Sequence, residues 1–172
     1  SEIEKALKES EDTNRKIKDD LRKVAERVRK LIEDVIRTLE RVLRDSERTN
    51  REITRSDRDK DELRKLVERD RERVEKVLRD AKRLVRTIKE DIRRALEEMK
   101  KLVEEDEEKV KKKIKDEDVL RKAKRLVDET LKEVERVIRE LEKLVEDLEE
   151  TVKEVIKRSR ELVDETEKRI RD

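Results

Sequence analysis

Apolar residues recur at steps of three and four along nearly the whole chain, which is typical of one face of an α-helix. In the first third this face comprises Ile3, Leu7, Ile17, Leu21, Val24, Val28, Ile32, Val35, Leu39, Val42 and Ile53. Ala25, Leu31, Ile36 and Leu43 widen it on one side. A wide apolar face suits a helix that packs against two others. The spacing therefore predicts long amphipathic helices.

The apolar face loses its phase after the first third of the chain. Residues 56–61 include no apolar side chain, and the next apolar residue is Leu63. Asp59 and Glu62 have the spacing of a helix N-cap and the acid that reciprocates it. We therefore place a turn at 56–59.

A second loss of phase follows Ile114, and the apolar face resumes about half a turn away at Val119. Lysines precede this break and acids at 116–118 follow it, which suits the dipoles of a helix that ends and a helix that begins. Since the chain has no Gly, we expect Asp57 or Asp116 to take the left-handed conformation that ends many helices. The alternative is a strained turn.

Two turns divide the chain into three helices, at about 2–56, 60–114 and 117–171. Each helix would be about 80 Å long at the usual rise per residue. The connections are too short for a helix to run parallel to the one before it. We predict an all-α fold, a long antiparallel up-down-up three-helix bundle that forms a single domain over 1–172.

Each helix carries one polar motif twice, 36 residues apart and on its apolar face. The pairs are Ser10 and Asn14 with Ser46 and Asn50, Asp70 with Asp106, and Thr130 with Thr166. The apolar face takes ten steps over these 36 residues, or 3.6 residues per step. A coiled-coil-like bundle with this period should be nearly straight, with little supercoil.

Heights along an up-down-up bundle bring these residues together in two layers. One layer would hold Ser10, Asn14, Asp106 and Thr130; the other would hold Ser46, Asn50, Asp70 and Thr166. Thr13 and Thr49 flank the apolar face and could join. Hydroxyl and amide donors can satisfy a buried carboxylate without a buried cation. We interpret the motifs as buried polar networks; the alternative is polar residues near frayed helix ends.

The sequence supports a catalytic role for Asp70 or Asp106 much less than it supports a structural role. The two carboxylates would lie about 54 Å apart, and neither has an implied base or nucleophile beside it. The chain has no His, Cys or Gly and no aromatic residue. Imidazole and thiol catalysis, the usual zinc sites, phosphate-binding loops and base stacking therefore have no residues to carry them. We expect no enzyme activity, cofactor or metal.

Charge and hydropathy make other partners improbable. The chain has 53 basic and 51 acidic residues, for a net charge of +2, whereas nucleic-acid binding needs a surface rich in basic residues. The longest apolar run is two residues, so we expect a soluble protein with no transmembrane helix or targeting signal, and the localisation stays unknown. Heavy charge also suits disorder, but the apolar residues are patterned rather than scattered.

These features resemble those of computationally designed helical bundles with buried hydrogen-bond networks. The resemblance covers the whole chain and rests on aliphatic stripes, mixed-charge surfaces and modular Ser, Thr, Asn and Asp layers. Connections without Gly or Pro depart from it, since designed loops usually contain them. Natural spectrin-like repeats are an alternative, but they would be expected to carry aromatic core residues.

The resemblance implies a structural scaffold with no natural biochemical function. It would be a monomer in which two polar layers set the register of three helices, and no partner is expected. The alternative is an interaction module, either half of a designed heterodimer or a homo-oligomer, that uses an exposed helical groove. A single charged helix used as a spacer does not fit, because the apolar face breaks phase twice.

Overall fold

The computed structural model describes residues 1–55 and 57–171, which form three long helices. Helix α1 spans Glu2–Arg55, α2 spans Lys60–Lys113 and α3 spans Glu117–Arg171. The predicted all-α fold of three helices is confirmed. The predicted end of the first helix, Ser56, lies outside the described residues, and so does part of the predicted turn at 56–59.

Side chains and backbone groups at the helix starts cap the first free N–H groups. The hydroxyl of Ser1 accepts a hydrogen bond from the N–H of Glu4 at 3.3 Å. The carbonyl of Asp59 accepts the first helical hydrogen bond of α2, from Leu63 at 3.1 Å. The start of α2 thus agrees with the predicted position of Asp59 before the helix, whereas the side-chain cap by Asp59 and Glu62 stays a prediction.

The expected left-handed conformation at Asp57 or Asp116 is wrong, since no described residue has a positive φ. Asp116 instead caps the start of α3. Its Oδ1 accepts hydrogen bonds from the N–H groups of Asp118 and Val119, at 3.0 and 3.2 Å. A side chain that satisfies the free N–H groups of the next helix lets the chain turn without a glycine.

The helices contribute to two compact units. The first unit comprises Ser1–Lys30 and Ile88–Leu144, and the second comprises Leu31–Thr87 and Val145–Asp172. Each unit takes part of all three helices. The single domain over 1–172 stays a prediction.

In the first unit, contacts define an up-down-up arrangement. Glu9 near the start of α1 accepts a hydrogen bond from Lys113 at the end of α2, at 3.2 Å. Arg29 of α1 lies 3.9 Å from Glu140 of α3. Thus α2 runs antiparallel to α1, whereas α3 runs in the same direction as α1. A cluster of Ala6, Val110, Ile114 and Ala123 forms one end of the core.

The second unit has the same arrangement, with the later part of α1 beside the earlier part of α2. Ser46 bonds to Asp70, and Arg160 of α3 bonds to Glu75 of α2. A cluster of Val42, Ile53, Leu63, Val67, Val74, Val163 and Ile170 supplies apolar contact. Both units therefore have the packing of an antiparallel three-helix bundle.

Buried positions keep the predicted period along every helix. From Asn14 to Asn50 they are Ile17, Leu21, Ala25, Val28, Ile32, Val35, Leu39, Val42, Ser46 and Asn50, which is ten steps. The same number separates Asp70 from Asp106 and Thr130 from Thr166. Absence of supercoil, which this period favours, stays a prediction.

The buried face of α1 differs from the predicted one at three places, and one of them is Ile3, which is only partly buried. Ala6 and Ala25 are buried, whereas Leu7 and Val24 are only partly buried. Leu7 lines a groove beside α3, and Val24 lines another beside α2. A short alanine fits in the close-packed core, and the larger side chain beside it then lies along the edge of a groove.

Candidate functional site: two buried polar layers

All eight residues of the two predicted layers are buried, at 8% exposure or less. The first layer is Ser10, Asn14, Asp106 and Thr130, and the second layer is Ser46, Asn50, Asp70 and Thr166. Such low exposure disagrees with the alternative of polar residues at frayed helix ends. Because buried polar groups need hydrogen-bond partners, the arrangement within each layer decides what these residues do.

In the first layer, the carboxylate of Asp106 is held by two donors from α1. Its Oδ2 accepts hydrogen bonds from Ser10 Oγ at 2.9 Å and from Asn14 Nδ2 at 2.8 Å. Both are hydrogen bonds to an acid nearly removed from water, the kind that contributes most to stability. They join α1 to α2 at one height.

The remaining atoms of the first layer are bonded less completely. Asn14 Nδ2 also donates to the carbonyl of Ser10 at 2.7 Å, while Asn14 Oδ1 is buried without a partner among the described residues. Thr130 is fully buried and donates to the carbonyl of Leu126 in its own helix at 3.0 Å. Thr13 lines a cavity of about 70 Å³ beside Asp106.

In the second layer, the carboxylate of Asp70 has one donor from α1 and one from its own helix. Ser46 Oγ donates to Asp70 Oδ1 at 3.2 Å, and the guanidinium of Arg73 donates to the same oxygen. Arg73 is partly exposed and also lies 3.9 Å from Asp45. The second carboxylate is thus neutralised by a cation that reaches it from the surface.

The second asparagine joins α1 to α3 rather than to α2. Asn50 Nδ2 donates to Thr166 Oγ1 at 2.7 Å, and Thr166 in turn donates to the carbonyl of Leu162 at 2.7 Å. Arg169 closes this part of the layer by donating from Nη1 to Asn50 Oδ1 at 2.8 Å and to Thr54 Oγ1 at 2.7 Å. Every polar atom of the Asn50 amide therefore has a partner.

Three residues that bond at the second layer were absent from the prediction, namely Arg73, Arg169 and Thr54, and a fourth buried polar residue, Ser159, was also missed. Ser159 is fully buried, and its Oγ has no partner among the described residues. Its place three residues after the buried Ile156 was a signal that could have revealed it. No comparable signal marks the other three. Of the flanking threonines, Thr49 donates to the carbonyl of Asp45 at 3.0 Å.

A surface ion pair joins α3 to α2 in the second unit. Arg160 forms two hydrogen bonds to Glu75, from Nε at 2.8 Å and from Nη2 at 3.0 Å. The hydrogen bond from Arg160 lowers the pKa of Glu75, and the same bond raises the pKa of Arg160. Both side chains are at least a third exposed, so the pair is worth little in free energy.

No group of three or more Asp or Glu residues among those described is placed to hold a metal ion. Within the described residues, no helix has the length and apolar content needed to cross a membrane. The arrangement observed is one of donors and acceptors turned inward between helices. Chemically, it can fix which helix surfaces meet.

No protein-family model and no curated protein sequence matches this chain. A solved structure described as a computationally designed three helix bundle is similar, with a TM-score of 0.55 and 23% sequence identity. The match covers 98% of this chain and 82% of that chain. At this identity the likeness establishes the fold, which is that of a three-helix bundle. The resemblance expected from the sequence is confirmed at that level.

Proposed function

We propose that this chain is a designed structural scaffold without a natural biochemical function. It is a monomer in which two buried polar layers set the register of three helices. The observation that carries the proposal is the first layer, where Ser10 and Asn14 of α1 both donate to the buried Asp106 of α2. Apolar layers supply stability, and polar layers penalise the alternatives.

The penalty follows from the chemistry of a buried carboxylate. If α2 slips along α1 by one turn, Asp106 leaves both donors and stays buried among aliphatic side chains. Removing the partners of a buried charge costs about 3–5 kcal/mol. A slip between two aliphatic layers, by contrast, exchanges one apolar contact for another. The aliphatic layers alone would give shifted registers nearly equal free energies, and the polar layers thus make one register more stable than the others.

The amino-acid composition of the chain and its fold together support a design origin. Sixty per cent of the residues are charged, none is aromatic, and the chain has no Gly or Pro. The similar solved structure is described as computationally designed. No catalytic role is proposed, because the donors and acceptors of the layers bond to one another.

An experiment on register moves the acid by one turn. Asp106→Leu alone should fold with stability close to that of the parent, whereas adding Val103→Asp should place a carboxylate away from Ser10 and Asn14. Val103 is 2% exposed, so the added acid has little water. We expect the double variant to lose about 3 kcal/mol or more in urea unfolding. Equal stability of the two variants would refute the role in register.

The oligomeric state is tested by light scattering coupled to size exclusion. We expect a mass near 21.0 kDa, that of one chain. A mass of two chains or more would instead favour the interaction module. One observation favours that second function: a groove of about 380 Å³ in the first unit, whose lining includes Val24, Met99 and Leu102.

A further inference from the structure

The two layers are copies in sequence, but their surroundings are not. Thirty-six positions before Arg169 and Thr54 of the second layer, the chain has Glu133 and Lys18. A donor and a neutral hydroxyl in one copy thus correspond to an acid and a cation in the other. The eight layer residues themselves show no such difference, since each has the same residue type in both copies.

The geometry around Arg169 gives this difference a consequence. Thr54 donates its hydroxyl hydrogen to the carbonyl of Asn50 at 2.8 Å, which leaves its lone pairs for the guanidinium. Arg169 Nη1 then donates to Thr54 Oγ1 at 2.7 Å and to Asn50 Oδ1 at 2.8 Å. One guanidinium group therefore bonds to two acceptors one turn apart on α1.

The first layer has no such donor on the corresponding amide. Asn14 Oδ1 is buried and has no partner among the described residues. Glu133, the counterpart of Arg169, accepts a hydrogen bond from Arg136 in its own helix at 2.8 Å and cannot donate one when ionised. The unpaired oxygen and the missing arginine thus belong to the same copy.

We propose that Arg169 is the specificity-determining residue of the second layer. It recognises the pair of acceptors on Asn50 and Thr54, so the end of α3 pairs with the second α1 motif and is rejected by the first. Against the first motif, Arg169 would meet the ammonium of Lys18, which has no acceptor and carries a like charge. This inference rests on the proposed role of the layers in register.

The first copy of the α3 motif, which has Glu133 in place of Arg169, is likewise excluded from pairing with the second α1 motif. If Glu133 were placed against the second motif, its carboxylate would face Asn50 Oδ1 and Thr54 Oγ1, which are both acceptors in the observed arrangement. Acceptors that face each other form no hydrogen bond, so the two bonds that Arg169 makes would be lost. One exchange of residue types in α1 and one in α3 therefore distinguish two motifs whose layer residues are the same.

The test follows the side-chain amide of Asn50 by NMR hydrogen exchange in the full chain. Arg169→Met should speed that exchange about threefold, the ratio for loss of about 0.7 kcal/mol, and should leave the Asn14 amide unchanged. Arg169→Lys keeps the charge without the planar group and should give an intermediate rate. Lys168→Met, which removes an exposed cation from the same turn, is the matched control and should change neither amide.

Rejection is tested at the other end of the contact. Thr54→Lys places in the second layer the cation found in the first, and it should speed Asn50 exchange as much as Arg169→Met does. Thr54→Ser keeps the hydroxyl and should retain the parent rate. In the variant that carries both Thr54→Lys and Arg169→Met, the Asn50 amide should exchange no faster than in either single variant, since both substitutions break the same contact.

Transplanting the contact provides the positive result. The Lys18→Thr and Glu133→Arg pair should slow exchange of the Asn14 amide several-fold and raise the urea midpoint, while Glu133→Gln alone should do neither. The proposal is overturned if the transplant leaves Asn14 unchanged, or if Arg169→Met and Lys168→Met act alike. These rates report Arg169 itself, whereas failure of the scaffold proposal would appear in the light-scattering mass and the Val103→Asp test.

Discussion

The two polar layers hold the same four residue types at the same spacing, yet their carboxylates are satisfied differently. Asp106 receives a hydroxyl and an amide donor from α1. Asp70 receives only the hydroxyl from α1, and the guanidinium of Arg73 replaces the amide. The layer residues define where the helices meet, but the charged residues at the edge decide how each network closes.

A change from lysine to arginine accounts for part of this difference. The counterpart of Arg73 in the first unit is Lys109, which lines the small cavity beside Asp106. Arginine has a planar fork that matches a carboxylate, whereas lysine is a compact, strongly hydrated charge. The first carboxylate therefore depends on neutral donors from α1, and the second has a cation. Substitutions at corresponding positions should reveal this unequal dependence.

The largest expected effect comes from removing the asparagines. Asn14→Leu leaves the buried Asp106 with Ser10 as its described donor, and we expect a loss of about 2–3 kcal/mol in the free energy of unfolding. Asn50→Leu should cost about 1 kcal/mol or less, because Thr166 keeps its bond to Leu162 and Arg169 can be hydrated. Urea unfolding followed by circular dichroism measures both.

Equal losses in these two variants would contradict the comparison. The pair is its own control, since both substitutions have the same chemistry and both positions are at most 8% exposed. A larger loss for Asn50→Leu would indicate that the contact between α1 and α3 contributes more than the buried carboxylate does.

A second, smaller effect concerns Ser159, whose counterpart in the first unit is Ala123. Both positions are fully buried, and Ser159 Oγ has no partner among the described residues. Burying an unsatisfied hydroxyl costs about 1–3 kcal/mol, so Ser159→Ala should stabilise the protein by about 1 kcal/mol. Ala123→Ser should destabilise it by a similar amount. The urea midpoint of unfolding measures both changes. A lower midpoint for Ser159→Ala would mean that the Ser159 hydroxyl has a partner.

The sequence predicted the fold and the layer positions because both depend on a simple period. Steps of three and four indicated which residues face inward, and Asp70 and Asp106 stood out as acids on that face. A shift of phase marked each turn. Helix ends then followed from capping residues, although the conformation expected at Asp116 was wrong because a side-chain cap replaced a left-handed residue.

The sequence did not predict which partners close the networks. Arg73 and Arg169 are two of many exposed cations, and only side-chain geometry distinguishes them from their neighbours. Thr130 was expected to join the first layer, and it is buried, but its described bond goes to its own helix. Local hydrogen bonds of Thr to the carbonyl four residues earlier compete with contacts between helices, and spacing alone does not show which one forms.

A third substitution, Asp106→Leu, should change the free energy of unfolding little but should loosen the register of α1 and α2. Asp106→Leu removes the acceptor, but Asn14 keeps its bond to the carbonyl of Ser10. Replacing buried polar groups by aliphatic ones is often neutral or stabilising, so we expect the stability to stay the same or rise by about 1 kcal/mol. Looser register should broaden amide resonances of α1 and α2 in the first unit. Unfolding of this variant would show that Asp106 has another role.

The smallest effect is a pH dependence confined to the second unit. Glu75 bonds to Arg160, whereas their counterparts in the first unit are Lys111 and Lys124 and cannot form that pair. Since the bond from Arg160 lowers the pKa of Glu75 below its ordinary value of 4.5, its contribution is present at neutral pH and is lost as the pH falls through the lowered pKa. For so exposed a pair this is about 0.5 kcal/mol or less. Glu75→Gln should therefore lower the urea midpoint slightly at about pH 7, and the gap between the two proteins should shrink as the pH falls through the lowered pKa. A gap that stays the same at low pH would contradict the assignment, because a protonated Glu75 no longer carries the charge that Arg160 recognises.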